Sequence, residues 1–191
     1  MTALSSSHVA SRPQVGTGAT VWLTGLPGAG KSTISELTAQ LFESAGQATY
    51  ILDGDKLRSG LNADLGFDRN AREENVRRVG EVAHLFADAG IVVIVALISP
   101  YAADRDRVRA VHEISNTPFF EIHIATPLDV CQERDPKGLY AKSQKGEVKG
   151  LTGVDDPYDI PEVPDHRIVT AGRTPQESAN ELYEFITSSL A

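Results

Sequence analysis

The segment Gly25-Leu26-Pro27-Gly28-Ala29-Gly30-Lys31-Ser32 fits the pattern G-x-x-x-x-G-K-[ST] in full. Its glycines let successive backbone N–H groups turn inward and cradle phosphate oxygens. A helix starting at this point adds a dipole that favours anions, worth about 0.3–1 kcal/mol for one exposed charge. Lys31 is expected on the β- and γ-phosphates of ATP, and the Ser32 hydroxyl on Mg²⁺. Gly25, Gly28, Ala29, Gly30, Lys31, Ser32 and Thr33 make up the expected ATP-binding set of this turn. A second group of chemical residues follows in Tyr50-Ile51-Leu52-Asp53-Gly54-Asp55. An acid at the carboxyl end of a parallel strand faces the ligand crevice. Asp53 is therefore placed to hold the metal with Ser32, and Asp55 to orient an acceptor hydroxyl or accept its proton. The competing reading makes both acids turn or helix-capping residues, since Asp-Gly is a common turn dipeptide.

These residues need strands and helices to position them, and the pattern supplies both. Thr20 to Thr24 and Ala48 to Leu52 read as strands, as do Ile91 to Ile98 and Phe119 to Ala125, with His166 to Thr170 as a short last one. Ile91 to Ile98 is a continuous apolar run, as expected for a strand covered on both faces. Between the strands, Lys31–Ser44, Ala71–Ala89, 102–115 and Pro127–Glu133 read as helices, and Pro175–Leu190 closes the chain. Alternating strands and helices imply a parallel sheet with helices on both faces. Residues 134–164 carry many Gly, Pro and Lys residues and little apolar periodicity. So long a connection reads as a functional lid. Residues 1–18, small and polar, read as a tail or linker, leaving 19–191 as one domain.

The 191 residues carry 18 basic and 26 acidic side chains, a formal charge of −8. Such a chain is a poor general nucleic-acid binder, so any site for a phosphorylated ligand must concentrate its cations locally. No apolar run approaches the roughly 18 residues a membrane span needs, and the opening residues, which have no long apolar stretch, are not expected to be a secretory signal. Cys131 is the only cysteine, which excludes an internal disulfide and fits a cytoplasmic location. Burial in packing is its expected role.

The kind of nucleotide protein follows from what surrounds the loop. No Asn-Lys-x-Asp segment for reading guanine is present, and Asp135-Pro136-Lys137-Gly138 follows a helical segment instead of a strand. A short domain with a basic lid favours a small-molecule kinase. The run Asp53-Gly54-Asp55-Lys56-Leu57-Arg58, Gly60-Leu61-Asn62, Asp64-Leu65-Gly66-Phe67 and Arg72-Glu73-Glu74-Asn75-Val76-Arg77-Arg78 is then specific. With Leu97-Ile98-Ser99-Pro100-Tyr101, Arg105-Asp106-Arg107, Arg134-Asp135-Pro136-Lys137-Gly138-Leu139-Tyr140 and Lys149 to Tyr158, it closely resembles the adenylylsulfate kinases from about Val21 to the C-terminus. The resemblance implies a three-layer α/β/α P-loop NTPase fold with a five-stranded parallel sheet and a mobile lid. It implies transfer of the ATP γ-phosphate to the 3′-hydroxyl of adenosine 5′-phosphosulfate with Mg²⁺. A homodimer and association with an ATP sulfurylase are further implications; no nucleic acid or membrane partner is expected.

The resemblance also assigns residues. Arg58, Arg72 and Asn75 are implied to hold the phosphosulfate end of the acceptor, and Phe67 to stack on its adenine. Arg72 and Asn75 lie one helical turn apart and can reach one ligand, and Arg suits forked contacts with phosphate or sulfate oxygens. The alternative for Arg72, and more so for Arg77 and Arg78, is a solvated helix face; for Phe67 it is ordinary core. Ile98, Ser99, Lys149 and Leu151 complete the acceptor wall. Lys137 approaches the phosphates, while Arg134 and Thr170 border the ATP base. One departure stands out: Leu151 takes the place of the Phe that closes the other side of the purine in this family. Stacking is worth about 1–3 kcal/mol per base, so looser clamping is expected unless Leu151 packs well. Ser99 is a phosphoserine in some members, but Ser99-Pro100 here reads foremost as an N-cap with Pro at N1. The rivals are a gluconate, shikimate or nucleoside-phosphate kinase of similar fold, and a regulatory protein that binds ATP without transferring it.

Overall fold

The computed structural model describes residues 17–191. The expected tail lies outside the described residues except for 17 and 18. Gly18 already packs into the domain, where a Cβ would stand 2.1 Å from the Ala87 carbonyl oxygen.

Five strands form one parallel sheet: β1 (Ala19–Thr24), β2 (Thr49–Asp53), β3 (Val92–Ala96), β4 (Phe119–Ile124) and β5 (His166–Ile168), in the order β2-β3-β1-β4-β5. Val21, Leu23, Ile94 and Ile122 face one way, toward Ile34 and Phe42 of α1 (Lys31–Ser44) and Leu182 and Ile186 of α7 (Pro175–Leu190). Trp22, Val93 and Val95 face the other way, toward Val76, Val79 and Ala83 of α3 (Arg69–Asp88) and Val108 of α4 (Ala102–Ile114). This alternation is the period of two of a strand buried on both faces. Two apolar layers against one sheet are the three-layer α/β/α architecture.

Two helices escape the apolar pattern because they are too short to carry a period. The five-residue α2 (Gly54–Arg58) starts where the Asp53 carboxylate accepts the N–H groups of Asp55 and Lys56. The other, α6 (Leu139–Gln144), lies inside the stretch that reads as a lid, after α5 (Leu128–Arg134). The Asp135 carboxylate accepts from the N–H groups of Tyr140 and Ala141 at its start, and the Tyr140 side chain is buried with its hydroxyl donated to Pro27 O at 2.9 Å. That stretch is therefore partly packed rather than a plain loop.

The helix-capping reading of Ser99 is wrong. α4 begins at Ala102, and its first N–H is accepted by the Asp159 carboxylate at 3.1 Å. Ser99 sits at φ 39°, and its Oγ accepts the indole N–H of Trp22 at 3.0 Å. A cap supplied from across the chain leaves the local serine free to be drawn into the core.

Candidate active site

Between β1 and α1 the chain makes the phosphate turn. Gly25 has φ 155° and Gly30 φ 106°, and a Cβ on Gly25 would stand 2.7 Å from the Ile124 carbonyl oxygen. Only glycine fits both the angle and the space. The turn is fixed from behind: Thr126 Oγ1 donates to Ala29 O at 2.8 Å, and Arg134 reaches Ala29 O and both oxygens of Thr170. Arg134 and Thr170 thus border this turn. Lys31 Nζ donates to Gly25 O at 2.8 Å and Leu26 O at 2.9 Å, inside the curve of the turn. Burial pushes its amine down to about 8, against opposing pulls from nearby anionic groups. Gly28 lines the same turn at φ 75°, and Ser32 and Thr33 open α1 exposed.

Ser32 Oγ donates to Asp53 Oδ2 at 2.7 Å. The capping reading of Asp53 therefore holds: one carboxylate oxygen caps α2, while the other accepts from the helix-start serine. Among the described residues no cluster of three or more His, Cys, Asp or Glu side chains could hold a metal. A pair of hard oxygens still fits Mg²⁺, which takes one or two protein oxygens and fills its remaining positions with phosphate and water. Asp55 is exposed and forms an ion pair with Lys137, which stands near the start of the 134–164 stretch.

The cationic half of the site lies on α2, the following turn and α3. Arg58 donates to Leu65 O at 3.2 Å and Gly66 O at 2.8 Å, and its guanidinium lies 4.3 Å from the Phe67 ring centre. Burial, and then the neighbouring Arg72 charge, hold Arg58 below its ordinary value. Phe67 is 67% exposed, which removes the core reading. Arg72 is buried, which removes the solvated-face reading for it. Its Nε donates to Phe67 O at 2.8 Å, and its two amino groups reach Thr152 Oγ1 at 3.2 Å and Gly150 O at 2.7 Å. Arg77 and Arg78 bind Glu74 on the outer face of α3, as that reading requires. Asn75 is buried beside Asn62. Arg72 thereby ties the Phe67 turn to the Gly150-Leu151 segment. Leu151 is buried in the core cluster with Tyr140, and its N–H is held by Asp155, so it packs well. Lys149 is exposed beside it, and Ile98 is half-buried with its carbonyl held by Thr24 Oγ1 at 2.7 Å. Ser99 is 3% exposed, so a kinase could phosphorylate it only if this segment opened. Cys131 is buried, as its packing role requires.

Sequence reasoning missed the support behind this wall. Arg105 is 2% exposed and binds Glu121 at 2.5 Å, Ser99 O at 2.7 Å and Asp159 O at 2.9 Å. The signal was a Glu inside the apolar strand Phe119-Phe120-Glu121-Ile122, since a buried carboxylate demands a cationic partner. Asp159 and Asp156 were equally unforeseen. Asp156 faces Arg72 Nε at 3.5 Å and Tyr101 OH at 3.4 Å.

With this geometry in view, the comparisons agree on one family. The family model for adenylylsulphate kinase matches residues 17–169. An adenylyl-sulfate kinase of Geotalea uraniireducens is 50% identical over 166 residues, covering 87% of this chain and 79% of the relative. The bifunctional enzyme NodQ of Rhizobium sp. (strain N33) is 48% identical over 168 residues, 88% of this chain but 26% of NodQ. Among solved structures, the Mycobacterium tuberculosis APS kinase CysC in complex with AMPPNP and APS superposes with a TM-score of 0.87 at 46% identity, covering 90% of this chain and 99% of that one.

Proposed function

The chain belongs to the adenylylsulphate kinase family, and from that premise we propose how its crevice moves the γ-phosphate of ATP to the 3′-hydroxyl of adenosine 5′-phosphosulfate. One observation carries the reading. Ser32, at the end of the phosphate turn, bonds the Asp53 carboxylate at 2.7 Å, and the helix that starts on that carboxylate, α2, carries Asp55 and ends at Arg58 of the cationic wall. Donor and acceptor halves therefore adjoin at the end of β2.

Lys31 exchanges its two carbonyl contacts for the β- and γ-phosphates, which offset the cost of its burial. The amides of Gly28, Ala29 and Gly30 hold the phosphate oxygens, and Ser32 and Asp53 would hold Mg²⁺. When bound there, the ion would supply charge neutralisation for the transferring phosphate. Arg58, Arg72 and Asn75 take the phosphosulfate, and Phe67 offers its exposed ring to the adenine. Ile98, Ser99, Lys149 and Leu151 line the acceptor side, and Arg134 and Thr170 the ATP base. Asp55 orients the attacking hydroxyl, and Lys137 leaves Asp55 for the transferring phosphoryl group. Catalysis by such a site is mostly positioning and electrostatic stabilisation.

The decisive experiment incubates the protein with ATP, Mg²⁺ and a panel of acceptors and measures ADP and the 3′-phosphorylated product. Only adenylylsulfate should be turned over efficiently. Arg72→Ala should raise the KM for adenylylsulfate by about tenfold or more, the scale of a lost charged hydrogen bond, and leave ATP binding intact. Turnover of gluconate or a nucleoside monophosphate at a comparable kcat/KM would defeat the assignment. A cytoplasmic homodimer, associated with the sulfurylase that makes its acceptor, completes the reading. The similarity to one part of a bifunctional relative supports that association.

A further inference from the structure

Asn62 and Asn75 form a buried side-chain pair, with exposures of 0% and 6%. Asn62 Nδ2 donates to Asn75 Oδ1 at 3.0 Å. The Asn75 oxygen is thereby occupied, and its NH₂ group has no partner among the described residues. Asn62 Oδ1, in contrast, is buried and unpartnered. An orphaned buried acceptor is unfavourable and calls for a reason.

The pair bond could form in two ways. If both amides turned round, Asn75 would donate to Asn62 and show its oxygen instead of its NH₂. Turning one alone would set like ends against each other. The observed arrangement leaves the orphan on Asn62, deep in the fold, and the free donors on Asn75. Asn75 lies one helical turn from Arg72 on α3. Phosphate and sulfate oxygens have only lone pairs to offer, so a donor edge binds them and an oxygen edge repels them. Asn62 is itself fixed by its backbone, with its N–H on Leu57 O at 2.9 Å and its carbonyl accepting from Leu65 N at 3.1 Å. It thus belongs to the turn that links Arg58 to Phe67.

We infer that Asn62 is a positioning residue for acceptor binding: it holds the Asn75 amide so that the NH₂ edge is the one offered to an anionic acceptor. The inference rests on Asn75 being part of the acceptor site, and one arm of the test addresses that alone.

The test measures KM for adenylylsulfate and for ATP in Asn62→Leu, Asn62→Ala, Asn75→Ala and the Asn62→Leu/Asn75→Ala double variant. Asn62→Leu keeps the volume of the buried site while removing both the donor and the orphan, so it should melt near the parent temperature. Asn62→Ala serves if it does not. Either variant should raise the adenylylsulfate KM about tenfold, the scale of one misdirected hydrogen bond, with the ATP KM changed less than about twofold. In the Asn75→Ala background the Asn62 substitution should add nothing, because a residue that acts through another has no effect once that other is gone. A folded Asn62 variant with the parent KM would overturn the inference. So would an Asn62 effect that persists in full without Asn75, which would mark a merely structural role. If Asn75→Ala itself leaves the KM unchanged, the acceptor-site assignment of Asn75 is what fails.

Discussion

Replacing Arg105 by Met removes a buried guanidinium that ties three segments together. Its partners are Glu121 in β4, the carbonyl of Ser99 and the carbonyl of Asp159. Breaking one side of a buried ion pair costs about 3–5 kcal/mol, because the other charge is stranded. Arg109 stands 3.7 Å from Glu121 and relieves part of that charge, so the lower half of the range, about 3–4 kcal/mol, is the expected loss. At about 2–4 °C per kcal/mol for a domain of this size, the melting temperature should fall by roughly 6–16 °C. Urea unfolding can be followed by Trp22, the only tryptophan, whose indole N–H is bonded to Ser99 and which therefore reports on the same segment. The adenylylsulfate KM should rise as well, since Ser99 and Asp159 lose their shared anchor, while the ATP KM changes little. The Arg105→Met/Glu121→Leu double variant separates the two effects. Removing both charges should restore most of the stability but leave the raised KM, because the two carbonyls remain untethered. A loss below about 1 kcal/mol for Arg105→Met, or a normal KM in the double variant, would refute the reasoning.

Lys31 sets a pH limit. Its folded value, near 8, lies below the ordinary 10.5, so the folded state holds the proton less tightly than the unfolded one. Burial of this charge costs stability in full below about pH 8, and the cost fades as pH rises toward 10.5. Activity runs the other way: the charged amine is the one that binds phosphate, so kcat/KM for ATP should fall as pH rises through about 8 in the free enzyme. A flat profile between pH 7 and 9 would show that Lys31 is not the titrating group. For Leu151→Phe, the added ring should lower the adenylylsulfate KM if it stacks on the purine opposite Phe67, at an overpacking cost of about 1–3 kcal/mol in thermal stability. An unchanged or raised KM in a stable variant would count against an open purine clamp.

The order of strands and helices, the phosphate turn and the identity of its Lys and Ser partners were readable from residues alone. They rest on local rules: a two-residue period for buried strands, a helical period for α1, α3 and α7, and the need for glycine where φ is positive. The cationic wall was readable because Arg58, Phe67, Arg72 and Asn75 fall in one ordered run. Local rules stop at interactions between distant segments. That Asp159 and not Ser99 caps α4, that Arg105 joins β4 to the Ser99 and Asp159 segments, and that Leu151 turns into the core all depend on which segments the folded chain brings into contact. Asn62 shows the division most clearly. Sequence places an amide in the turn before α3, but only the packing of that turn against Asn75 decides which edge of the neighbouring amide is left free. A hydrogen bond has a direction that residue type does not specify, and tertiary structure supplies it.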